Sequence, residues 1–143
     1  MIGLAYLAVQ AISFAGILVI DHRWKLAAFR APAATALAVT ASDVLAAEGY
    51  VLGSPANLGY MSGALKHFFD RTYYTCEGAV SGRPYALCVH GDNDTAGAVT
   101  SVERITTGWG LRAVGPAAQL TGEPTREDLD AVAEVAATVA AHL

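Results

Sequence analysis

Clustered cations are missing from this chain. Nine Lys and Arg are scattered over 143 positions against thirteen Asp and Glu, for a formal net charge of −4. Nucleic acids are held mainly through grouped basic side chains facing phosphates, so no nucleic-acid partner is expected. Cysteine is scarce. Cys76 and Cys88 are the only two, and their spacing forms neither a CxxC pair nor a zinc pattern. Both are read as reduced thiols of a cytoplasmic protein. Cys88 lies in an apolar run and reads as core, while Cys76 is reactive only if exposed, with Arg71 alone nearby to lower its pKa. No GxSxG elbow is present, which disfavours a serine hydrolase. Asp92 and Asp94 stand two apart without a third acid, so no metal site is expected. Repeats and low-complexity linkers are also lacking, and residues 1–143 read as one domain of ordinary size.

Apolar residues are plentiful, at 54% of the chain against 15% charged. That balance suits helices packed on a sheet and excludes a disordered tail. The first twenty residues, MIGLAYLAVQAISFAGILVI, carry no charge and have only Gln10 and Ser13 as clearly polar members. About twenty such residues can cross a bilayer. The stretch lacks the basic start of a secretory signal, and His22, Arg23 and Lys25 after it favour the cytoplasmic side. Buried sheet and helix of the domain is the first reading of residues 1–29. A membrane segment through residues 1–20 and a sequence artefact are the alternatives.

From Ala31 the elements alternate. Thr40 or Ser42 caps a short helix over Ser42–Glu48. Tyr50–Gly53 is a brief apolar strand without polar alternation, the mark of a strand buried on both faces. A loop over Ser54–Met61 leads to Ser62, which caps a helix from Gly63 to about Tyr74 with apolar positions at Leu65, Phe68 and Phe69. Tyr85–Val89 is a second buried strand, followed by the loop His90–Thr95 and a helix from Ala96 to Trp109 that Gly110 stops. Leu111–Val114 is a third strand. Thr125, with Asp128 three residues on, opens a last helix to Ala141 in a capping-box pattern. Strand, loop and helix in repetition predict an α/β fold with a parallel sheet between helices on both faces. Trp24 and Trp109 read as packing residues, and His67 as exposed helix surface.

In open parallel sheets ligands bind beyond the carboxyl ends of the strands. Two loops leave such ends. Ser54–Met61 offers Pro55, Asn57, Tyr60 and the bare backbone of Gly59, which lets a flat ligand approach. His90–Thr95 offers a glycine, two carboxylates, an amide and a hydroxyl. Apolar surface on one side and polar groups on the other suit a heterocyclic ring. Ordinary turns are the plain alternative for each loop taken singly.

The run GSPANLGYMSGALKHFFDR, Gly53 to Arg71, resembles the flavin loop and following helix of flavodoxin-like NAD(P)H-dependent FMN reductases and quinone reductases. Gly82-Arg83-Pro84 and the polar loop after the next strand are also similar, and the resemblance extends over about residues 31–143. It implies a flavodoxin-like three-layer α/β/α sandwich that binds FMN. Ser54, Pro55, Ala56, Asn57, Leu58, Gly59 and Tyr60 would contact the ring. His90, Gly91, Asp92, Asn93 and Asp94 would meet its other edge or the ribityl chain. It implies hydride transfer from NAD(P)H as co-substrate to flavin, and onward transfer to a quinone or other small-molecule electron acceptor. The cofactor does that chemistry, so no catalytic side chain is assigned. Self-association into a homo-oligomer is implied as well.

Residues 1–29 depart from the family pattern. The family holds the FMN phosphate in a Ser-, Thr- and Gly-rich loop after its first strand. Gly16–Ile20 can be that strand, but Asp21-His22-Arg23-Trp24-Lys25 follows it. If Gly3–Val9 is the strand, Gln10–Gly16 offers one hydroxyl. Two further readings stay open: a non-catalytic flavodoxin-like module that has lost FMN, and a membrane-tethered variant.

Overall fold

The computed structural model describes residues 16–20 and 33–143. In chain order these form β1 (Gly16–Ile20), β2 (Ala33–Thr35), α1 (Ala41–Ala46), β3 (Gly49–Asn57), β4 (Tyr60–Met61), α2 (Gly63–Cys76), β5 (Pro84–Gly91), α3 (Ala96–Gly108), β6 (Arg112–Ala113), β7 (Ala118–Thr121) and α4 (Arg126–Ala141). The expectations for residues 1–15 and for Asp21–Lys25, including Trp24, lie outside the described residues. Among the described residues no helix is long and apolar enough to cross a membrane. The last five residues of the apolar amino-terminal run are β1 of the sheet.

The sheet runs β2-β1-β3-β5-β6, with β7 also on β5 and β4 on β3. β3 pairs β5 in parallel, and β5 pairs β6 and β7 in parallel, as the alternating elements predict. β1 differs: it runs antiparallel to both β2 and β3. Gly16–Ile20 has no polar residue to mark a solvent face, so periodicity leaves its direction open. The sheet is therefore mixed, with a parallel centre from β3 onward.

β3 and β5 divide their side chains between two cores with the period of two that a strand imposes. Tyr50, Leu52, Tyr85, Leu87 and Val89 join Val44 of α1, Leu65, Phe68 and Phe69 of α2, and Val102 and Trp109 of α3 and its end. Val51, Ala86 and Cys88 join Leu120 and the α4 residues Val132, Ala136 and Val139. Helices thus cover both faces. Trp109 is the aromatic centre of the larger core, edge-on to Phe68 and Phe69 and stacked on Tyr73, and its indole N–H donates to the Tyr73 carbonyl at 3.0 Å.

The helix starts follow their caps. Thr40 and Asp43 form a capping box on α1, Ser62 Oγ accepts from the Leu65 N–H on α2, and Thr125 and Asp128 form a second box on α4. The end of α1 is closed from a distance by Arg83. Its Nη1 donates to the carbonyls of Val44 and Leu45 at 3.0 Å each, to that of Ala47, and to the Tyr50 hydroxyl at 3.1 Å. A cation there satisfies the last carbonyls and complements the helix dipole.

Two segments differ from the sequence expectation. β3 does not end at Gly53 but continues to Asn57, and what reads as a loop is the tight hairpin β3-β4, with Ala56 opposite Met61 and Asn57 opposite Tyr60. Pro55 lies within β3 opposite His90 of β5, and among the described residues β1 pairs β3 no further than Leu52. β7 has no signal beyond one buried side chain, Leu120. Together β6 and β7 make one edge strand beside β5, interrupted around Pro116, which has no N–H to give a ladder.

Candidate functional site

The parallel pairing of β3 and β5 brings the two sequence-predicted loops to one rim. Ser54 stands opposite Val89 and Pro55 opposite His90. β7 reaches the same rim on the far side of β5, with Gly91 opposite Thr121. The carboxyl ends of three parallel-paired strands therefore converge.

The first turn is a two-residue hairpin in which Leu58 and Gly59 both take positive φ, +52° and +73°. That conformation matches the twist of the flanking strands and suits Gly at its second position. It lifts the tip clear of the sheet: Leu58 is 106% exposed and Tyr60 46% exposed. The base is anchored. Ser54 is fully buried, and its hydroxyl donates to the Pro55 carbonyl at 2.9 Å and accepts from the Ser62 N–H at 2.9 Å. Met61 N–H donates to Ser101 Oγ of α3 at 3.2 Å. Gly59 lies against Gly97 in the first turn of α3, where a side chain at 97 would collide with the Gly59 carbonyl. Ser54 thus ties the hairpin to α2, while Pro55, Ala56, Asn57, Leu58, Gly59 and Tyr60 remain wholly or partly open.

In the second turn, His90 and Gly91 still belong to β5, and the turn is Asp92–Asp94. His90 Nε2 is 2.6 Å from the Gly122 carbonyl. A carbonyl only accepts, so Nε2 carries the proton and the ring is committed to the turn after β7. Gly91 is buried, and its carbonyl accepts from the Gly122 N–H at 2.9 Å. Asp92, Asn93 and Asp94 are exposed. Asn93 Oδ1 accepts from the Asp94 N–H at 2.8 Å, and Asp94 Oδ1 accepts from the Ala96 N–H at 2.9 Å. Thr95, the residue before α3, is buried and donates from its hydroxyl to Gln119 Oε1 at 2.8 Å. The rim accordingly has an apolar, protruding side made by Leu58 and Tyr60, and a polar side made by the Asp92–Asp94 turn.

Sequence reasoning missed Gly122, Gln119 and Gly97 as parts of this rim. Gly97 alone had a signal, an unexplained glycine inside a helix. Asp128 belongs to the surroundings too. Hydrogen bonds from the backbone and hydroxyl of Thr125 hold its carboxyl below the usual range, and His90 adds to that. Lys66, ion-paired with Asp70, has its pKa raised chiefly by that bond, and Tyr60 is close enough to contribute. Both cysteines are free and buried. Burial raises the Cys76 thiol and pushes Cys88 up to about 12, so neither is a reactive group of the site. Among the described residues no three His, Cys, Asp or Glu side chains come together as a metal site.

The fold is that of flavodoxins. An archaeal flavodoxin is similar with a TM-score of 0.72 at 15% identity, over 99% of this chain and 92% of that one. A flavodoxin from Streptococcus pneumoniae TIGR4 is similar at 0.70 and 17% identity, over 100% and 94%. An NADPH-quinone reductase from P. pentosaceus is similar at 0.53 and 17% identity, over 66% and 70%. In sequence, 53 residues are 77% identical to one of the subunits of a putative C(50) carotenoid beta-cyclase from Dietzia sp. (strain CQ4). That stretch is 37% of this chain and 43% of the curated relative, so the chain spans less than half of that relative's length. The model of the NADPH-dependent FMN reductase family matches residues 15–123, the span that holds β1 through both turns of the rim. The chain belongs to the NADPH-dependent FMN reductase family.

Proposed function

We propose that this protein is a flavin-dependent oxidoreductase that takes electrons from NAD(P)H and passes them through a flavin to a quinone or another small acceptor. The observation that supports it is the pairing of Pro55 with His90, which sets an exposed apolar hairpin tip beside a polar turn at the carboxyl rim of a parallel sheet. Such a rim suits one half of a flavin, the isoalloxazine. Leu58 and Tyr60 give it an apolar face, Pro55 and Ala56 a floor, and Asn57, Asp92 and Asn93 polar contacts at its edges.

When bound, the flavin accepts hydride from a nicotinamide and releases electrons onward. The chain's own part is to bind and orient the ring and to keep water from one face. Ser54 and Gly97 hold the hairpin in place for that task, and His90 fixes the neighbouring turn through Gly122. A cytoplasmic homo-oligomer accompanies this reading.

The test is a titration of the purified chain with flavin, followed by NADPH and NADH oxidation with a quinone present. Quenching of flavin fluorescence and nicotinamide consumption are expected. Folded protein that leaves every flavin free would instead identify a non-catalytic flavodoxin-like module.

A further inference from the structure

We infer that His90 is a positioning residue that couples flavin at the rim to the docking of α4, so that a bound ring protects the last helix and a docked helix strengthens the site; this rests on the flavin reading above. The first observation is the face on which His90 lies. Successive side chains of a strand alternate between faces. Ala86 and Cys88 belong to the core beneath α4, and His90 is the next member of that row. In register it stands opposite Leu120, which is in the same core. His90 therefore ends, at the rim, the row of side chains on which α4 rests.

The second observation is how the turn after β7 is held. Bonds run both ways between it and the end of β5. His90 Nε2 donates to the Gly122 carbonyl at 2.6 Å, and the Gly122 N–H donates to the Gly91 carbonyl at 2.9 Å. Glu123 and Pro124 alone separate Gly122 from Thr125, the cap of α4. The cap lies close enough for His90 to act on the Asp128 carboxyl. Val132 is the first buried residue of α4, so the first turn of the helix leans on its cap and on Gly122. On the other side, Asp92 follows Gly91 directly, and Asp92–Asp94 is the polar side of the rim. A ligand that orders this turn and a helix that docks through Gly122 thus meet at two adjacent residues, His90 and Gly91. Linkage makes such a coupling reciprocal.

Hydrogen exchange of the α4 amides is followed in the full-length chain, without FMN and with FMN at saturation. FMN is expected to raise their protection about three- to tenfold, the weight of one hydrogen bond, while α1, closed by Arg83 ahead of β5, keeps its rates. In His90→Leu, saturated with FMN in its turn, the rise falls below about twofold. His90→Gln, whose amide N–H can reach the Gly122 carbonyl, restores it; a role in packing alone would not separate the two variants. Should His90→Leu fail to fold by circular dichroism, His90→Asn, too short to reach that carbonyl, takes its place with the same expectation. FMN that binds without slowing α4 exchange overturns the coupling and leaves the flavin reading standing. So does a rise that persists without the donor, or one that is absent from His90→Gln as well. Folded wild-type protein that binds no FMN removes the flavin reading and the coupling together.

Discussion

Gly97→Ala probes the seat of the hairpin on α3. A Cβ at residue 97 would stand 3.0 Å from the Gly59 carbonyl carbon and well inside contact distance of its oxygen. An ordinary C···O approach is about 3.3–3.6 Å, so the tip must retreat by on the order of 1 Å. It cannot retreat freely, because Met61 is bonded to Ser101 and Ser54 to Ser62. Forced overpacking costs about 1–3 kcal/mol. Alanine in place of glycine within a helix returns about 0.5–1 kcal/mol. The net expectation is a loss of up to about 2.5 kcal/mol, read as a lower urea midpoint, together with weaker flavin binding because Leu58 and Tyr60 move with the tip. A variant stabilised by the full helix term, with an unchanged flavin titration, would refute the reasoning: the hairpin would then not rest on α3.

Two further outcomes follow from the core. Arg83→Met leaves the carbonyls of Val44, Leu45 and Ala47 without their shared donor, and a loss of about 2–3 kcal/mol in urea unfolding is expected. Arg83→Lys should recover less than half of it, since an ammonium cannot span that set, and full recovery would show that charge alone matters. Burial pushes the Cys88 thiol up to about 12, so the folded state keeps a proton that the unfolded chain gives up above about 8.5. Stability from this group is complete below that pH and is lost as pH rises toward 12, by at most about 1.4 kcal/mol per pH unit. Urea midpoints measured from pH 8 upward should therefore fall less steeply in Cys88→Ala. The residual slope belongs partly to Tyr50 and Tyr85, whose hydroxyls burial also raises. Equal slopes in both proteins would place Cys88 in contact with water.

The parts of the fold that were legible in the sequence are those written in local chemistry. Thr40, Ser62 and Thr125 each mark a helix start by an oxygen placed for an N–H two or three residues on, and each does so in the structure. The uninterrupted apolar runs around Tyr50 and Tyr85 identify the central parallel pair. What was hidden depends on distant partners. β7 exists because its backbone completes the edge of β5, and a four-residue segment with one buried side chain carries no period. The extension of β3 through Pro55 is held by distant pairing, with β5 at Ser54 and Pro55 and with β4 at Ala56 and Asn57. The direction of β1 is not encoded in a run of apolar residues. At the rim, the open and buried members of the two turns could not be told apart by residue type: Ser54 and Asn57 are both polar, but one is tied beneath the hairpin and the other is exposed.

The division of the strand side chains between two cores has a mechanical consequence. One face holds the rings of Phe68, Phe69, Tyr50, Tyr85 and Trp109, with Trp109 edge-on to both phenylalanines and the two tyrosine hydroxyls hydrogen-bonded to Val44 and Thr106. Among the described residues the other holds Val51, Ala86, Cys88, Leu120, Val132, Ala136 and Val139, none larger than leucine. Less apolar area per contact means that α4 can peel away at a smaller free-energy cost than the body it covers. With it would go the Thr125–Asp128 cap. Amide exchange is therefore expected to open α4 before the ring-filled half, with the hairpin still seated.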